Sequence, residues 1–559
     1  MLTAHGAILL LKCEQYVNGA PKRQDSWGGA TMTNRQQNLA CAAKSSEGFV
    51  IQAFGVVLLL IALWGATSSP AEVRASHSSY PNMVVILADD LGYGDVSSYN
   101  SDRGKIATPN IDRLAKDGMR FTDAHSSSGV CSPSRYTLLT GRYHWRTRLQ
   151  AGIVGVFGEP LIARERMTIG TLAKARGYQT ACFGKWHLGW GWPIPAEESK
   201  YFRLSRKSED QPMASPEQQE SWRRVFSQRI PGGPTERGFD EYFGTDVPNW
   251  PPFCFIENDR TVGIPEVLLP AHFLNAKPLM ASLPGPAVKD WQFEPILPAI
   301  TDRACQFVRR CGKEGKPFLL YLPLTTPHEP LAVNQPWQGK SGLNVYADFV
   351  METDAMVGRL LDTLDETDLT KDTLVIFTSD NGKAIYTGAK ELEEMGHFSS
   401  GPFRGYKTSV YEGGHRIPFI VRWPGVVPRG SVCSQLVHQA DVFATLADIF
   451  QMPLPPNAGE DSFSLLPLLR GESRAIRTHA VSCAANGTPG IRDGSWKLIL
   501  TAKPELYNLA EDPGETTNLA ERHPDRVEAM KALLEHLIQE GRSTPGPRQE
   551  NDVPVKRYP

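Results

Sequence analysis

The sequence predicts a doubly wound α/β fold, with a mixed, mostly parallel sheet between helices and a smaller C-terminal α+β subdomain. Three observations predict it. Continuous apolar, β-branched runs such as Met83–Ala88 have the composition of strands buried on both faces. These runs alternate with helical stretches through most of the chain, as repeated βαβ units do. From about Arg474 the alternation gives way to short strand candidates and one terminal helix.

The elements follow in order. Met83–Ala88 is the first strand. Thr108–Gly118 reads as a short helix, with Pro109 near its start and Gly118 past its end. A helix over Thr168–Arg176 precedes a strand over Gln179–Phe183. A helix over Asp302–Arg310 precedes a strand over Phe318–Leu322, and the long amphipathic helix Tyr346–Leu364 precedes a strand over Thr373–Thr378. The stretch from Pro193 to Pro298 is rich in Pro, Gly, Trp and charge, with weak periodicity, and reads as long excursions from the core. Ala480–Cys483 and Trp496–Leu500 are strand candidates before a terminal helix over Pro524–Glu540. The chain after Gly541 is expected to be disordered.

With 559 residues the chain is long enough for a large core and more than one domain. Its 59 basic and 61 acidic residues nearly cancel, so net charge points to neither nucleic acid nor an anionic membrane as partner. Nine cysteines are scattered without C-x-x-C pairs, which argues against structural zinc. Cys305 and Cys311 are close enough in sequence to pair, or are two partly buried thiols on one helix.

Ala53–Ala66 is apolar but shorter than the roughly 20 residues of a membrane span. Small residues follow it, as at a signal-peptide cleavage site. A signal peptide around residues 44–71 is therefore expected, with a membrane anchor as the alternative. About 50 residues precede the run, which is explained if translation starts downstream of Met1, for instance at Met32. The mature protein is expected to be secreted or periplasmic, without stable membrane association.

In open α/β sheets ligands bind beyond the carboxyl ends of the strands. Asp89 and Asp90 follow the first strand. Lys185 and His187 follow the second, His328 the third, and Asp380 and Asn381 the fourth. Parallel neighbouring strands would bring all of these to one rim. Three carboxylates and an amide oxygen form a hard, oxygen-only ligand set suited to Ca²⁺ or Mg²⁺. Lysines and histidines around such a cation suit an anionic tetrahedral substrate, whose charge they offset and whose oxygens they protonate or deprotonate.

The most specific segment is Cys131-Ser-Pro-Ser-Arg-Tyr-Thr-Leu-Leu-Thr-Gly-Arg142. It resembles the signature of the sulfatase family. Val85–Asp95, Gly184–Gly189, Thr378–Gly382, Gly405–Gly414 and Leu506–Glu515 resemble further family motifs in the same order, over about Pro81–Glu540. The likeness is nearest to the arylsulfatase A and N-acetylgalactosamine-6-sulfatase branch.

The resemblance implies an alkaline-phosphatase-like sheet and a sulfuric ester hydrolase. Its domains would be an N-terminal extension with signal peptide over 1–75, a catalytic domain over 80–473, a C-terminal α+β subdomain over 474–545 and a disordered tail over 546–559. Cys131 would be oxidised by a formylglycine-generating enzyme, so formylglycine would be the nucleophile. Asp89, Asp90, Asp380 and Asn381 would hold one divalent cation, usually Ca²⁺, together with an oxygen of the modified Cys131. Arg135 would hold the hydrated aldehyde, and Lys185 and Lys407 would contact sulfate. His187 would take the proton that drives sulfate release, and His328 with Lys407 would assist the leaving alcohol. The substrate would be a sulfated small molecule or carbohydrate. On the loop after Gly238–Gly244, Asn249 is the candidate for a further polar contact. His397 is expected on a surface loop, with the substrate pocket as its alternative. A phosphate- or phosphonate-ester hydrolase and a catalytically silent carbohydrate-binding protein are the competing readings.

Overall fold

The computed structural model describes residues 80–204, 213–270 and 282–556. The expected signal peptide lies outside them. The central sheet is built from β1 (Asn82–Ala88), β2 (Met119–Phe121), β3 (Gln179–Lys185), β4 (Glu241–Thr245), β5 (Ile256–Glu257), β6 (Arg260–Thr261), β7 (Phe318–Pro323), β8 (Thr373–Ser379), β9 (Phe419–Arg422) and β10 (Ser431–Cys433). Their spatial order is β10-β2-β9-β8-β1-β7-β3-β4-β5-β6. The run β8-β1-β7-β3-β4 is parallel throughout, and β9 pairs antiparallel with both β8 and β2.

The sheet is doubly wound because its inner strands are apolar on both faces. Met83, Val85 and Leu87 point to one core, while Val84, Ile86 and Ala88 point to the other. Helix Cys131–Thr140, helix Ile169–Lys174 and helix Asp441–Ile449 cover the first face through Leu138, Leu172 and Leu446. Helices Pro109–Asp117, Ile296–Glu314 and Val345–Glu366 cover the second through Leu114, Phe307 and Leu361.

Helix Ile296–Glu314 begins before the expected Asp302, because Pro298 sits in its first turn, where a missing N–H does no harm. Cys305 and Cys311 are free, buried thiols on this helix. Six residues along a helix separate them by about 9 Å, beyond disulfide reach. The Pro193–Pro298 excursion contains helix Pro216–Phe226, started by a Ser215–Gln218 capping box, and its Phe202, Trp222 and Phe226 form a small aromatic core with Phe157.

The C-terminal sheet consists of β11 (His479–Cys483), β12 (Pro489–Asp493), β13 (Trp496–Ile499) and β14 (Glu505–Asn508), all antiparallel. Val481, Ile491 and Leu498 pack on Val527, Met530 and Leu534 of helix Pro524–Glu540, and Tyr143 and Trp145 of the main sheet region join the same cluster. The sheet is thus a second layer attached to the larger core. Among the described residues no helix is long and apolar enough to cross a membrane.

The expectation of a disordered tail does not hold over residues 546–556. The Gln549 N–H donates to Glu540 O at 2.9 Å, and the Asp552 N–H to Arg146 O at 2.8 Å. Asp552 also pairs with Arg142 at 3.0 Å. The tail is polar, as disordered segments are, but arginines from the body supply its partners.

One of these arginines anchors the junction. Arg146 meets both oxygens of Asp461 at 2.8 Å, and both side chains are buried. Asp461 also accepts from the Tyr143 N–H at 2.7 Å and from Ser543 at 2.6 Å. Asp461→Ala would strand a buried guanidinium, so urea unfolding should show a loss of about 3–5 kcal/mol. A wild-type unfolding midpoint would contradict that assignment.

Candidate active site

Strands β8, β1, β7 and β3 are consecutive and parallel, so their carboxyl ends lie side by side. Register keeps them level. Ala88 pairs with Ser379, the Asp380 N–H donates to Ala88 O at 3.0 Å, and the Asp89 N–H donates to Thr326 O at 3.0 Å. The polar residues expected on one rim are therefore together.

Cys131 is the first residue of helix Cys131–Thr140 and is buried. Gly129, two residues earlier, is held from both sides. Its N–H donates to Cys483 O at 3.0 Å, and its carbonyl accepts from the Thr408 N–H at 2.7 Å. Arg135 lies one turn on, on the face that Cys131 presents. Its guanidinium donates to Asp380 Oδ2 from Nη2 at 2.9 Å and from Nε at 3.2 Å, and to Lys185 O at 3.0 Å. It also stands 3.4 Å from Asp89.

Lys185 Nζ contacts Asp89 Oδ2 at 2.7 Å, and Lys407 Nζ contacts Asp90 Oδ2 at 2.6 Å. Asp90 has φ of 63°, a left-handed conformation uncommon for a residue with a side chain. It is held there by Asp380 Oδ1 on its N–H at 3.1 Å, by Asn381 Nδ2 on its carboxylate at 2.7 Å, and by the Tyr346 hydroxyl on its carbonyl at 3.0 Å.

The electrostatics follow from burial. Burial would raise the Asp89 carboxyl, but Lys185, with Arg135 and Lys407, holds it well below the usual range. Burial and the neighbouring Asp89 push the Asp380 carboxyl up despite Arg135. Burial pushes the Cys131 thiol up to about 12, although Lys185 and Lys407 pull the other way. A thiol kept protonated is a poor nucleophile, so cysteine itself is unsuited to attack at this position.

The two histidines are neutral. His328 is lowered to about 4 by burial and Lys407. Its Nδ1 lies 2.7 Å from Glu329 O and so carries the hydrogen, while Nε2 faces Asp90 Oδ2 at 3.7 Å. His187 also has a left-handed backbone, with φ of 52°. Its Nε2 donates to Val154 O at 3.1 Å, which leaves Nδ1 as a buried lone pair with no hydrogen-bond partner. Burial, with Lys185, holds this imidazole well below its ordinary range.

The donor set fits a divalent cation. Asp89 Oδ1 and Asn381 Oδ1 are buried and accept no hydrogen bond. Ligand atoms of Asp89, Asp90, Cys131 and His328 lie within 4.8 Å of one another. The set is dominated by hard oxygens, which suits Ca²⁺ or Mg²⁺. His328, expected only as a partner of the leaving group, lies close to the same atoms.

Other expectations are corrected or extended. His397 is neither on a surface loop nor in the pocket. It is fully buried, with Nε2 2.8 Å from Asp95 Oδ1 and Nδ1 accepting from the Lys105 N–H at 2.9 Å. Asn249 donates to Glu329 Oε1 at 3.1 Å, next to His328. Asp246 is a residue the sequence reading missed: it receives the His187 N–H at 3.1 Å and so fixes the strained turn. Lys383 was also missed. It is buried over the Tyr346 ring and immediately follows the Asp380-Asn381-Gly382 turn, a charge whose position was the available signal.

A protein-family model described as Sulfatase matches residues 81–452. The chain belongs to the sulfatase family. A second model, described as N-sulphoglucosamine sulphohydrolase, C-terminal, matches residues 403–543. The sulfatase is 34% identical to an N-acetylgalactosamine-6-O-sulfatase of Bacteroides thetaiotaomicron, over 85% of this chain and 96% of the relative. It is 31% identical to arylsulfatase A of Bos taurus, over 84% of this chain and 90% of that one. A solved 6S-sulfatase of Bacteroides thetaiotaomicron, described with the metabolism of multiple glycosaminoglycans, superposes with a TM-score of 0.70. It is 32% identical, and the match covers 82% of this chain and 99% of that one. The sulfatase is a sulfuric ester hydrolase of the family that uses formylglycine and a divalent cation.

Binding of a cation to these oxygens must stabilise the folded state. Chelation should lower the thermal midpoint, and Ca²⁺ restored to a thousandfold excess over its dissociation constant should return about 4 kcal/mol. A midpoint indifferent to both treatments, with no metal found on the protein, would refute the cation site.

Proposed function

We propose that this sulfatase removes sulfate from sulfated carbohydrates, with formylglycine made from Cys131 as nucleophile and one Ca²⁺ held by Asp89, Asp90, Asp380, Asn381 and an oxygen of the modified residue. The observation that carries the reading is the setting of Cys131. It is buried at a helix start, one turn from Arg135, among ammonium groups already aimed at the two aspartates. The carbohydrate substrate is supported by the N-acetylgalactosamine-6-O-sulfatase and 6S-sulfatase relatives. Export to the periplasm or beyond is supported by the short apolar run Ala53–Ala66 and the small residues after it.

Each residue has a chemical task. A sulfate monoester is an anion that repels an anionic nucleophile, and Lys185 and Lys407 offset that repulsion at the sulfate oxygens. The cation supplies further positive charge beside the reacting group. Arg135 keeps the nucleophilic side chain oriented. His187 offers the Nδ1 lone pair as proton acceptor for sulfate release, and its Nε2–H bond to Val154 fixes that tautomer. His328 and Lys407 flank Asp90 where the alcohol would depart. Formylglycine contributes two hydroxyls on one carbon when hydrated, one to attack sulfur and one whose deprotonation expels sulfate.

Maturation in a host with a formylglycine-generating enzyme should convert Cys131, and mass spectrometry of the tryptic peptide Phe121–Arg135 reads this directly. Full activity with cysteine alone would defeat the proposal.

Cys131→Ser separates this chemistry from simple hydrolysis. Serine can attack once but has no second hydroxyl with which to expel sulfate. The variant should give a burst of about one product per enzyme and then stall as a sulfate ester on the introduced serine, visible in the intact mass. Sustained turnover by verified, unoxidised serine would exclude elimination from the hydrate.

A further inference from the structure

A second buried polar cluster lies away from the strand ends, where the C-terminal sheet meets the loop that carries Lys407. Lys497 on β13 is 1% exposed, and its ammonium has three partners. Glu412 Oε1 lies at 2.9 Å, Glu515 Oε1 at 2.8 Å and His415 Nε2 at 3.1 Å. The ammonium is thus enclosed by two carboxylates, hydrogen-bonded to one and ion-paired with the other, and by an imidazole.

The histidines extend the cluster. Asp123 Oδ1 lies 2.7 Å from His125 Nε2 and can only accept, so His125 Nε2 carries the hydrogen. Burial keeps His125 neutral, and its Nδ1 lies 3.1 Å from His415 Nδ1. His415 Nε2 lies 3.0 Å from the Val410 carbonyl and 3.1 Å from the Lys497 ammonium. Arg416 and Arg492 close the cluster by pairing with Asp123 at 3.2 and 3.3 Å, and Arg416 also pairs with Glu412 at 3.0 Å. Three cations thus face three carboxylates. The ligand atoms of His125, Glu412 and His415 are grouped closely enough for a metal, but Lys497 already supplies the positive charge there.

The short helix Glu412–His415 held by this cluster is bonded to three pieces of the active site. The carbonyl of Gly414 accepts from the Gly382 N–H at 3.0 Å, next to Asn381. A Cβ on Gly382 would stand 2.0 Å from Gly413 O, so the two segments are in direct backbone contact. The Gly413 N–H donates to Arg404 O at 2.7 Å, closing the loop that contains Lys407, whose own N–H donates to Lys383 O at 2.9 Å. The carbonyl of His415 accepts from the Ser126 N–H at 2.9 Å, on the segment that leads to Cys131. Glu515 reinforces the arrangement by accepting the Glu412 N–H at 2.7 Å.

We propose that Lys497 is a positioning residue for sulfate-ester hydrolysis: from the C-terminal sheet it fixes helix Glu412–His415, and through that helix the Lys407 loop and the Asn381 turn. The inference rests on the reading of Lys407 and Asn381 as site residues. Lys497 touches neither substrate nor cation.

The test pairs Lys497→Met with Glu515→Gln, which removes one charge of each sign and keeps the cluster neutral. Fully matured double variant is compared with wild type at a temperature where both are folded. Hydrogen exchange should accelerate by about threefold or more in peptides spanning 405–415 and 380–383, and stay unchanged in β1 and β7. kcat/KM on 4-nitrophenyl sulfate should fall about tenfold or more. Wild-type protection of those peptides, or loosened peptides with wild-type kcat/KM, overturns the proposal. If the double variant does not fold, Lys497→Arg decides. A planar guanidinium cannot reproduce the three-way contact, so the same peptides should loosen and kcat/KM should drop, and wild-type values of both overturn it. Lys407→Met is assayed alongside. Full activity in that variant would refute the catalytic reading of Lys407, while the exchange data still report whether Lys497 holds the loop.

Discussion

Asp89, Asp90 and Asp380 are taken out of water together at the ends of two adjacent strands, and such a group is stable only where cations meet it. Arg135, Lys185 and Lys407 come from a helix, a strand end and a loop, and each reaches one of the carboxylates. The strained Asp90 backbone and the placement of Cys131 both depend on this balance. The same balance suits the proposed site to a cation on one side and an anion on the other. One carboxylate oxygen, of Asp89, and the amide oxygen of Asn381 accept no hydrogen bond and suit the first, and the ammonium groups beside the aspartates suit the second.

The fold delivers these groups because its central strands are apolar on both faces, which leaves polar side chains nowhere to go but the strand ends. Level register between β1 and β8 puts Asp89 beside Asp380 without any loop having to find the other. Cys131, the proposed nucleophile position, arrives differently, on a helix start whose preceding segment is tied at Gly129 to both the C-terminal sheet and the Lys407 loop.

What could be read from the sequence divides along the same physical line. Strands such as Met83–Ala88 carry their own signal, as do helices with Pro at the start and Gly at the end. The convergence of Asp89, Lys185, His328 and Asp380 could be inferred because each follows such a strand. The antiparallel strands β2 and β9 could not, since at three and four residues they are too short to show a period. His397 looked like a surface residue because Gly and Ser surround it, and only Asp95, 302 positions earlier, shows why it is buried. The ordered tail and the Lys497 cluster belong to the same class: their partners are remote in the chain, and no local pattern announces them.

The burial of Cys131 has a consequence for the order of events in the life of the chain. At 2% exposure its side chain is closed to any other macromolecule once the surrounding segments have assembled. The last walls to arrive come from residues synthesised late, including Cys483 O on Gly129 and the sheet that carries Lys497. An enzyme that alters this side chain, as the proposed function requires, would therefore have to meet it in the extended chain, and such maturation would compete in time with folding. On that reading, any change that hastens closure around residue 131 would lower the share of molecules that become active, even where the finished fold is unaltered.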